Sequence, residues 1–544
     1  MFSKIILLFH TLKFLKLEQI LWRVILYLPR VIRPKSNHPL PLNQIVNSII
    51  FLKKRKCTTD FESFSFLNQT HNILEIGWNS TTISKLWLYN LHYCDCLQQP
   101  NYRHEADLAT SFLIKWIKEN PWGNGTGWEP YPTSLRIINW IKYHFCGFRL
   151  PEEAVLSLWN QTLWLENRPE YHLLGNHLFV NAKALFFATA FFRLNDSNRV
   201  YLTAISILEK ELDEQFLADG SHFELSPMYH AIGMEDLIDI LNIAPYLPAS
   251  FPKMIIENKV KRGLQWLQGF IYDNGELAHF NDCANGIAPS YNELVSYASS
   301  IGIEVKSEFD DDTRDRKYEN SGFVVHKDDN WHLIADLGKI GPDYLPGHAH
   351  ADTLSFELAA KGKRVVVNSG TSIYGTSKER IRQRSTAAHS TVEINSRSSS
   401  EVWSGFRVAR RAEIFDIQYK VERVGVFFGA SHDGYLKQGI QVTHRRLWKF
   451  DRTKWEIIDT VSGTDCHPIA RFYIHPLIQV VKEEDGYCFI HQNKEICRVW
   501  LNQVEHASLV NATYHDQFGV TKPNSCIEIC FQAKEPLITK WEMA

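Results

Sequence analysis

Residues 308–320, EFDDDTRDRKYEN, divide this chain into two unlike halves. The stretch is densely charged and has almost no apolar content, the pattern of a linker. Before it the apolar residues recur at three-to-four spacing. ADLATSFLIKWIKEN (106–120) stops at Pro121, and TSLRIINWIKYHFCGF (133–148) repeats the pattern with Thr133 or Ser134 as N-cap. HLFVNAKALFFATAFFRL (177–194), RVYLTAISILEKELDEQFL (199–217) and VKRGLQWLQGFIY (260–272) continue it. After the linker come short alternating runs bounded by turn residues: SGFVVHK, WHLIADLG, RVVVNSG, KWEIIDTVSG, CIEICFQAK. Helical hairpins with short polar connections predict a bundle or toroid. Many strands without intervening helices predict an antiparallel sandwich. The expected organisation is a helical extension over 1–80, a helical domain over 81–310 and a β-sandwich over 320–544.

The chain has 544 residues, 44% of them hydrophobic and 22% charged, with net charge −2 and a pI near 6.9. That balance offers no broad cationic surface and argues against nucleic acid as the main ligand. The ten cysteines include no CxxC pair, so mostly reduced, buried thiols are expected rather than a zinc ribbon or redox motif. The opening MFSKIILLFHTLKFLKLEQILWRVILYLPR lacks a clean signal-peptide pattern and is too charged to span a membrane. Its amphipathic spacing fits either a helix docked on the body or a membrane-surface helix, and docking is the commoner case.

Three constellations carry candidate chemistry. In EYHLLGNHLFVNAKAL, Asn176 and His177 follow Gly175 at the start of an apolar helix, where an amide and exposed N–H groups can meet an anion. In DGSHFELSPMYH, His222, Glu224, Tyr229 and His230 crowd together, and a Tyr among ionisable groups is a candidate for proton transfer. In PGHAHADTLSFEL, His348 and His350 share a side in alternating geometry, with Asp352 and Ser355 following, then Asn368 at a strand end and His389 beyond. Three N/O donors on neighbouring strands can hold a divalent metal. Two further segments suit a sugar subsite. NPWGNGTGWEPYPTSLR presents Trp122, Asn124, Trp128, Glu129 and Arg136, and ERIRQRSTAAH presents arginines, Arg384 among them, able to clamp a carboxylate or sulfate. Each residue also has a plain structural reading, as cap, core or solvated loop.

Taken in order, WGNGTGWEPYPTSLRIINWI, LLGNHLFVNAKAL, DGSHFELSPMYH, GHAHADTLSFEL, VVVNSGTSIY and AAHSTVEINSRSSSEVW resemble the heparinase II/III-like proteins, a branch of polysaccharide lyases that includes heparan-sulfate lyases and some alginate lyases. The resemblance runs over roughly residues 80 to 540. It implies an incomplete (α/α) toroid followed by an antiparallel β-sandwich, with the active site in the cleft between them. It implies β-elimination at a uronic acid of an acidic polysaccharide, with Asn176 and His177 on the carboxylate and Tyr229 and His348 moving protons. It also implies one structural zinc or other divalent cation on His350, Asn368 and His389, although Asn368 stands where the family's zinc-binding members carry an Asp. Relatives of this kind accompany bacterial surface polysaccharide metabolism, which suggests a second reading as a catalytically reduced, glycan-binding accessory of exopolysaccharide biosynthesis. The resemblance points to the periplasm; the N-terminus without clean export signals leaves the cytoplasm as the alternative. No transmembrane span is expected.

Overall fold

A computed structural model describes residues 2–28, 32–40, 49–100, 106–309, 314–422, 425–451, 453–463 and 466–544. Of the expected linker, residues 310–313 lie outside the described residues, as do Met1, Pro29 and Arg30 of the opening stretch. Helices α1 (Phe2–Leu12) and α2 (Leu17–Ile25) come first, and α3 (Ile73–Ile76) is a single turn. The helical domain follows as α4 (Lys85–Tyr93), α5 (Ala106–Glu119), α6 (Pro130–Phe145), α7 (Glu152–Glu166), α8 (Gly175–Phe191), α9 (Arg199–Gln215), α10 (Pro227–Ile243), α11 (Lys253–Gln268) and α12 (Tyr291–Ser300). The first sandwich strand, Asp315–Lys317, lies within the charged segment itself, so the sandwich begins a few residues before the expected 320. The change of period at 308–320 is therefore a change of architecture.

The extension is only partly helical. Ser63–Phe66 pairs antiparallel with Gln69–Asn72 around Leu67 and Asn68, both at positive φ. Two consecutive left-handed residues match the twist of a two-residue hairpin, which a helical reading of 1–80 missed.

Helix α8 shows why the helical domain closes. From Leu178 to Phe191 every residue is buried, so the helix needs cover on every side. Helices α6, α7, α9 and α10 supply that cover. One buried group of charges inside this core is paired. Lys142 Nζ lies 2.6 Å from Asp239, Lys183 Nζ reaches Asp236 and Asp239 at 2.6 and 2.5 Å, and Tyr297 donates to Asp239 at 2.8 Å. These contacts tie α6, α8, α10 and α12 together.

The C-terminal domain stacks two antiparallel sheets. Among the described residues one has eight strands, from Ile414–Glu422 at one edge to Gln479–Lys482 at the other. The second runs from His506–Tyr514 to Asp315–Lys317 and contains Phe356–Ala360 and Lys363–Val367. Trp448, Trp455, Phe472 and Trp541 fill the space between the sheets.

Candidate active site

The two domains meet where a toroid loop, residues 281–286, faces the sandwich loop that carries HAHAD. Asp282 is the centre of this contact and is fully buried. Its backbone N–H donates to the carbonyl of His348 at 3.0 Å. Its carboxylate accepts from His348 Nδ1 at 2.9 Å, from His350 Nε2 at 2.9 Å, from Thr371 at 3.2 Å and from both guanidinium ends of Arg380, one at 2.6 Å. Burial works against the charge, but Arg380 and the histidine bonds outweigh it and hold this carboxyl well below the usual range. Arg380, one of the arginines read as able to clamp a carboxylate, clamps the protein's own Asp282 rather than a ligand. Asp282 was not singled out from sequence, because it lies in no motif whose spacing speaks of catalysis. An Asp in AHFNDCANG, a break between helical runs, was the one available signal.

Ser226 links this centre to Tyr229. It is the N-cap of α10, with Pro227 at N1; its hydroxyl accepts from the Tyr229 N–H at 3.3 Å and donates to the Asp282 carbonyl at 2.6 Å. Tyr229 in the first turn then lies over the His348 ring, with centroids 4.0 Å apart, and its hydroxyl is 2.8 Å from that of Tyr374. Tyr374 sits in turn 3.5 Å from His348 Nδ1 and packs against Phe406 and Phe518. Burial, then Tyr374 and Asp282, push the Tyr229 phenol well above its ordinary pKa, so it is held neutral. The carboxylate facing His348 Nδ1 favours the tautomer with the proton on Nδ1, in which Nε2 carries the lone pair. His348 is partly accessible, with 16% of its side chain exposed, unlike His350 at 1%.

The opposite wall begins with backbone strain. Leu174 and Gly175 both have positive φ, and a Cβ at Gly175 would stand 2.3 Å from Leu345 of the sandwich. Glycine is required there for close approach as well as for conformation. Half-buried Asn176 and His177 follow on the first turn of α8. His177 Nδ1 meets Glu170 at 3.1 Å and its ring packs on Tyr131 at 4.4 Å. Burial alone would lower the His177 pKa; Glu170 reverses the sign and raises it. Between the walls lies Glu224, 1% exposed, with neither carboxylate oxygen hydrogen-bonded and within electrostatic reach of both His348 and His177. Burial pushes its pKa up. His222 and His230 turn inward instead, to Gln215 and to the Gly263 carbonyl.

The expected metal donors divide. His350 Nδ1 and His389 Nε2 face each other at 3.0 Å. His350 Nε2 is committed as a donor to Asp282, and His389 Nδ1 as a donor to the Ser385 carbonyl at 2.7 Å. Two lone pairs therefore point at one another. Burial keeps both rings neutral, pushing His350 down to about 3 and lowering His389 as well. The pair fits a shared cation. Asn368 does not complete it: its amide donates to the His279 carbonyl at 3.0 Å and accepts from the Ser390 N–H at 3.1 Å. Among the described residues no three His, Cys, Asp or Glu side chains converge as a metal site.

Two expected sugar ligands are corrected. Arg136 is fully buried, stacked 3.8 Å from the Trp116 ring and bonded to Gln161 and the Gly127 carbonyl. Arg384 is also fully buried and bonds the carbonyls of Pro346, Ala349 and Gly405. Arginine forks satisfy clustered carbonyls as well as they clamp anions, and sequence cannot separate the two uses. Arg384 thereby shapes the turn that presents His348. Trp128 is buried and donates to the Asn120 carbonyl, while Trp122 packs edge-on against it and donates to the Ile32 carbonyl. Asn124 is exposed, and Glu129, bound to Tyr89 and Lys85, lies within electrostatic reach of His177.

Residues 107–300 match the family described as heparinase II/III N-terminus, and residues 310–542 match heparinase II/III-like, C-terminal. A heparin-sulfate lyase of Bacteroides stercoris is 22% identical over 348 residues, covering 60% of this chain and 49% of that protein. One from Pedobacter heparinus is 27% identical over 324 residues, covering 52% and 47%. These matches thus span about half the length of the curated relatives. Among solved structures, a heparinase III superposes with TM-score 0.65 at 16% identity over 84% of this chain and 76% of its own. Heparan sulfate lyase HepC from Pedobacter heparinus gives 0.58 at 16%, over 89% and 81%. These likenesses show the fold: a helical toroid followed by an antiparallel sandwich.

Proposed function

The chain belongs to the heparinase II/III-like family, and on that premise we propose that it is a polysaccharide lyase cleaving a uronate-containing acidic polysaccharide by β-elimination. The observation that carries the reading is the Asp282–His348 pair under the Tyr229 ring. The C5 proton of a uronate becomes removable once its carboxylate is neutralised, and the leaving O4 needs a proton. His348 Nε2, oriented by Asp282 at Nδ1, takes the C5 proton. The electron pair forms the C4–C5 double bond as the C4–O4 bond breaks. The neutral Tyr229 phenol gives its proton to O4, and Tyr374 holds that hydroxyl in place. Asn176 and His177 draw the carboxylate, and the buried Glu224 carboxyl, its pKa pushed up by burial, lies between the two walls.

A divalent cation such as zinc would be held by His350 Nδ1 and His389 Nε2 and would supply the positive charge those facing lone pairs accommodate. The protein's own part there is to fix the strand turn below His348. The substrate class we favour is a bacterial surface polysaccharide.

The test is ultraviolet-edge absorbance with the purified chain on heparan sulfate, hyaluronan, alginate and a bacterial surface glycan, run beside Tyr229→Phe. A rise that disappears in the variant supports the lyase. Binding without any rise would replace it with a glycan-binding accessory role.

A further inference from the structure

Helices α1 and α2 dock on the body by the wrong face for a core helix. Their contacts inward are polar or aromatic. Trp403 Nε1 donates to the Thr11 hydroxyl at 3.0 Å, Arg411 lies 3.9 Å from the Phe14 ring, Gln19 is 1% exposed and donates to the Leu173 carbonyl, and Trp22 stacks on Tyr171 at 4.7 Å. The apolar residues at helical spacing point the other way. Phe9 is 67% exposed, Leu12 54%, Leu17 85%, Leu21 58% and Val24 60%. A core-facing amphipathic helix would bury that stripe. Among the described residues, no other segment concentrates exposed large hydrophobic side chains so densely. Such a patch on a soluble surface marks an interaction site.

Charge selects the occupant. Lys4 on α1 and Lys13 just beyond its end are exposed, and Arg23 on α2 lies within electrostatic reach of exposed Arg407. The segment's one acid, Glu18, is paired with Lys210. An apolar stripe flanked by cations is the pattern of a helix lying in an anionic lipid interface. No described helix is long and apolar enough to cross a membrane, so the pattern is that of surface insertion. We propose that α1 and α2 form a membrane-surface anchor for anionic lipid. The pair also joins the domains beside the cleft. Lys16 is paired with Glu214 and covers the Tyr344 ring, and Gln19 reaches Leu173, three residues before Asn176. Anchoring would hold the cleft mouth close to the lipid.

The test is flotation of the full chain with vesicles of phosphatidylglycerol and phosphatidylcholine, against phosphatidylcholine alone. Expected are binding to the anionic vesicles, at least tenfold weaker binding to the neutral ones, and release by salt. The double variant Leu12→Glu/Leu21→Glu should lose binding at least tenfold. Because both side chains face outward, its melting temperature should stay that of the parent. A Lys4→Gln/Lys13→Gln variant should weaken anionic binding without touching the fold. No flotation with either vesicle would overturn the proposal. So would a dimer in sedimentation equilibrium that the double glutamate variant dissolves, since the stripe would then be an interface between copies.

Discussion

Asp239 in the toroid and Asp282 at the domain junction are both fully buried carboxylates ringed by cationic or ring N–H donors. Burial pushes each pKa up, and the partners, Lys142 and Lys183 in one case, Arg380 with two histidines in the other, outweigh it. The difference lies in where the partners end. Every atom bound to Asp239 terminates inside the core on α6, α8 or α12. One group bound to Asp282, the His348 ring, belongs to a side chain that is partly open to solvent. A buried charge network thus becomes chemical when one member stays partly open to solvent, and remains structural when none does.

Substituting each aspartate tests this comparison most strongly. Asp282→Asn should cut kcat by about 10³-fold or more, since a carboxylate that sets the tautomer of a basic histidine is worth about that much. Asp239→Asn should cost about 3–5 kcal/mol of stability by leaving buried lysines uncompensated, while turnover per folded molecule stays near that of the parent. Denaturant titration beside steady-state kinetics separates the two. Equal losses of activity per folded molecule would erase the distinction.

Tyr229→Phe removes the proposed acid and should lower kcat by about 10²–10⁴-fold with little change in melting temperature. Tyr374→Phe removes one neutral hydrogen bond, about 1 kcal/mol, so a loss of about fivefold is expected. If Tyr374→Phe proves the more damaging of the two, the acid has been assigned to the wrong ring.

Arg384→Gln should raise no KM-specific defect, because its guanidinium never reaches the cleft. Leaving the Ala349 and Pro346 carbonyls unpaired should lower the melting temperature by several degrees and kcat modestly, through displacement of His348. A pure rise in KM would restore it as a substrate clamp.

The smallest effect concerns pH. His177 has its folded pKa raised by Glu170. Its stabilising contribution is therefore complete below the unfolded value, about 6.5, and fades as pH rises through the higher folded value. The melting-temperature gap between the parent and His177→Gln should be widest near pH 5.5 and narrow at alkaline pH. A gap independent of pH would mean that Glu170 and His177 are not an ion pair.

Much of this architecture was legible along the chain. The period of hydrophobicity changes at 308–320 because helices and strands bury one face at different intervals, and that is a local property. Tyr229, His348, Asn176 and His177 were legible as candidates since unusual polar residues stand out against apolar runs. The hairpin at 63–72 was missed because its signal is carried by two backbone conformations, not by composition. Arg136 and Arg384 were misread because a guanidinium has the same sequence signature whether it bonds an anion or a set of carbonyls.

The sequence by itself determined the two-domain order and the residue types available for proton transfer, both of which depend on near neighbours. Only the tertiary structure decided which of those residues meet. Asp282 lies 66 positions from His348, and Arg380 98 positions from Asp282. The outward stripe of α1 and α2 is likewise a tertiary fact. Periodicity shows that a helix has two faces, but which face the body takes depends on what that body offers in return.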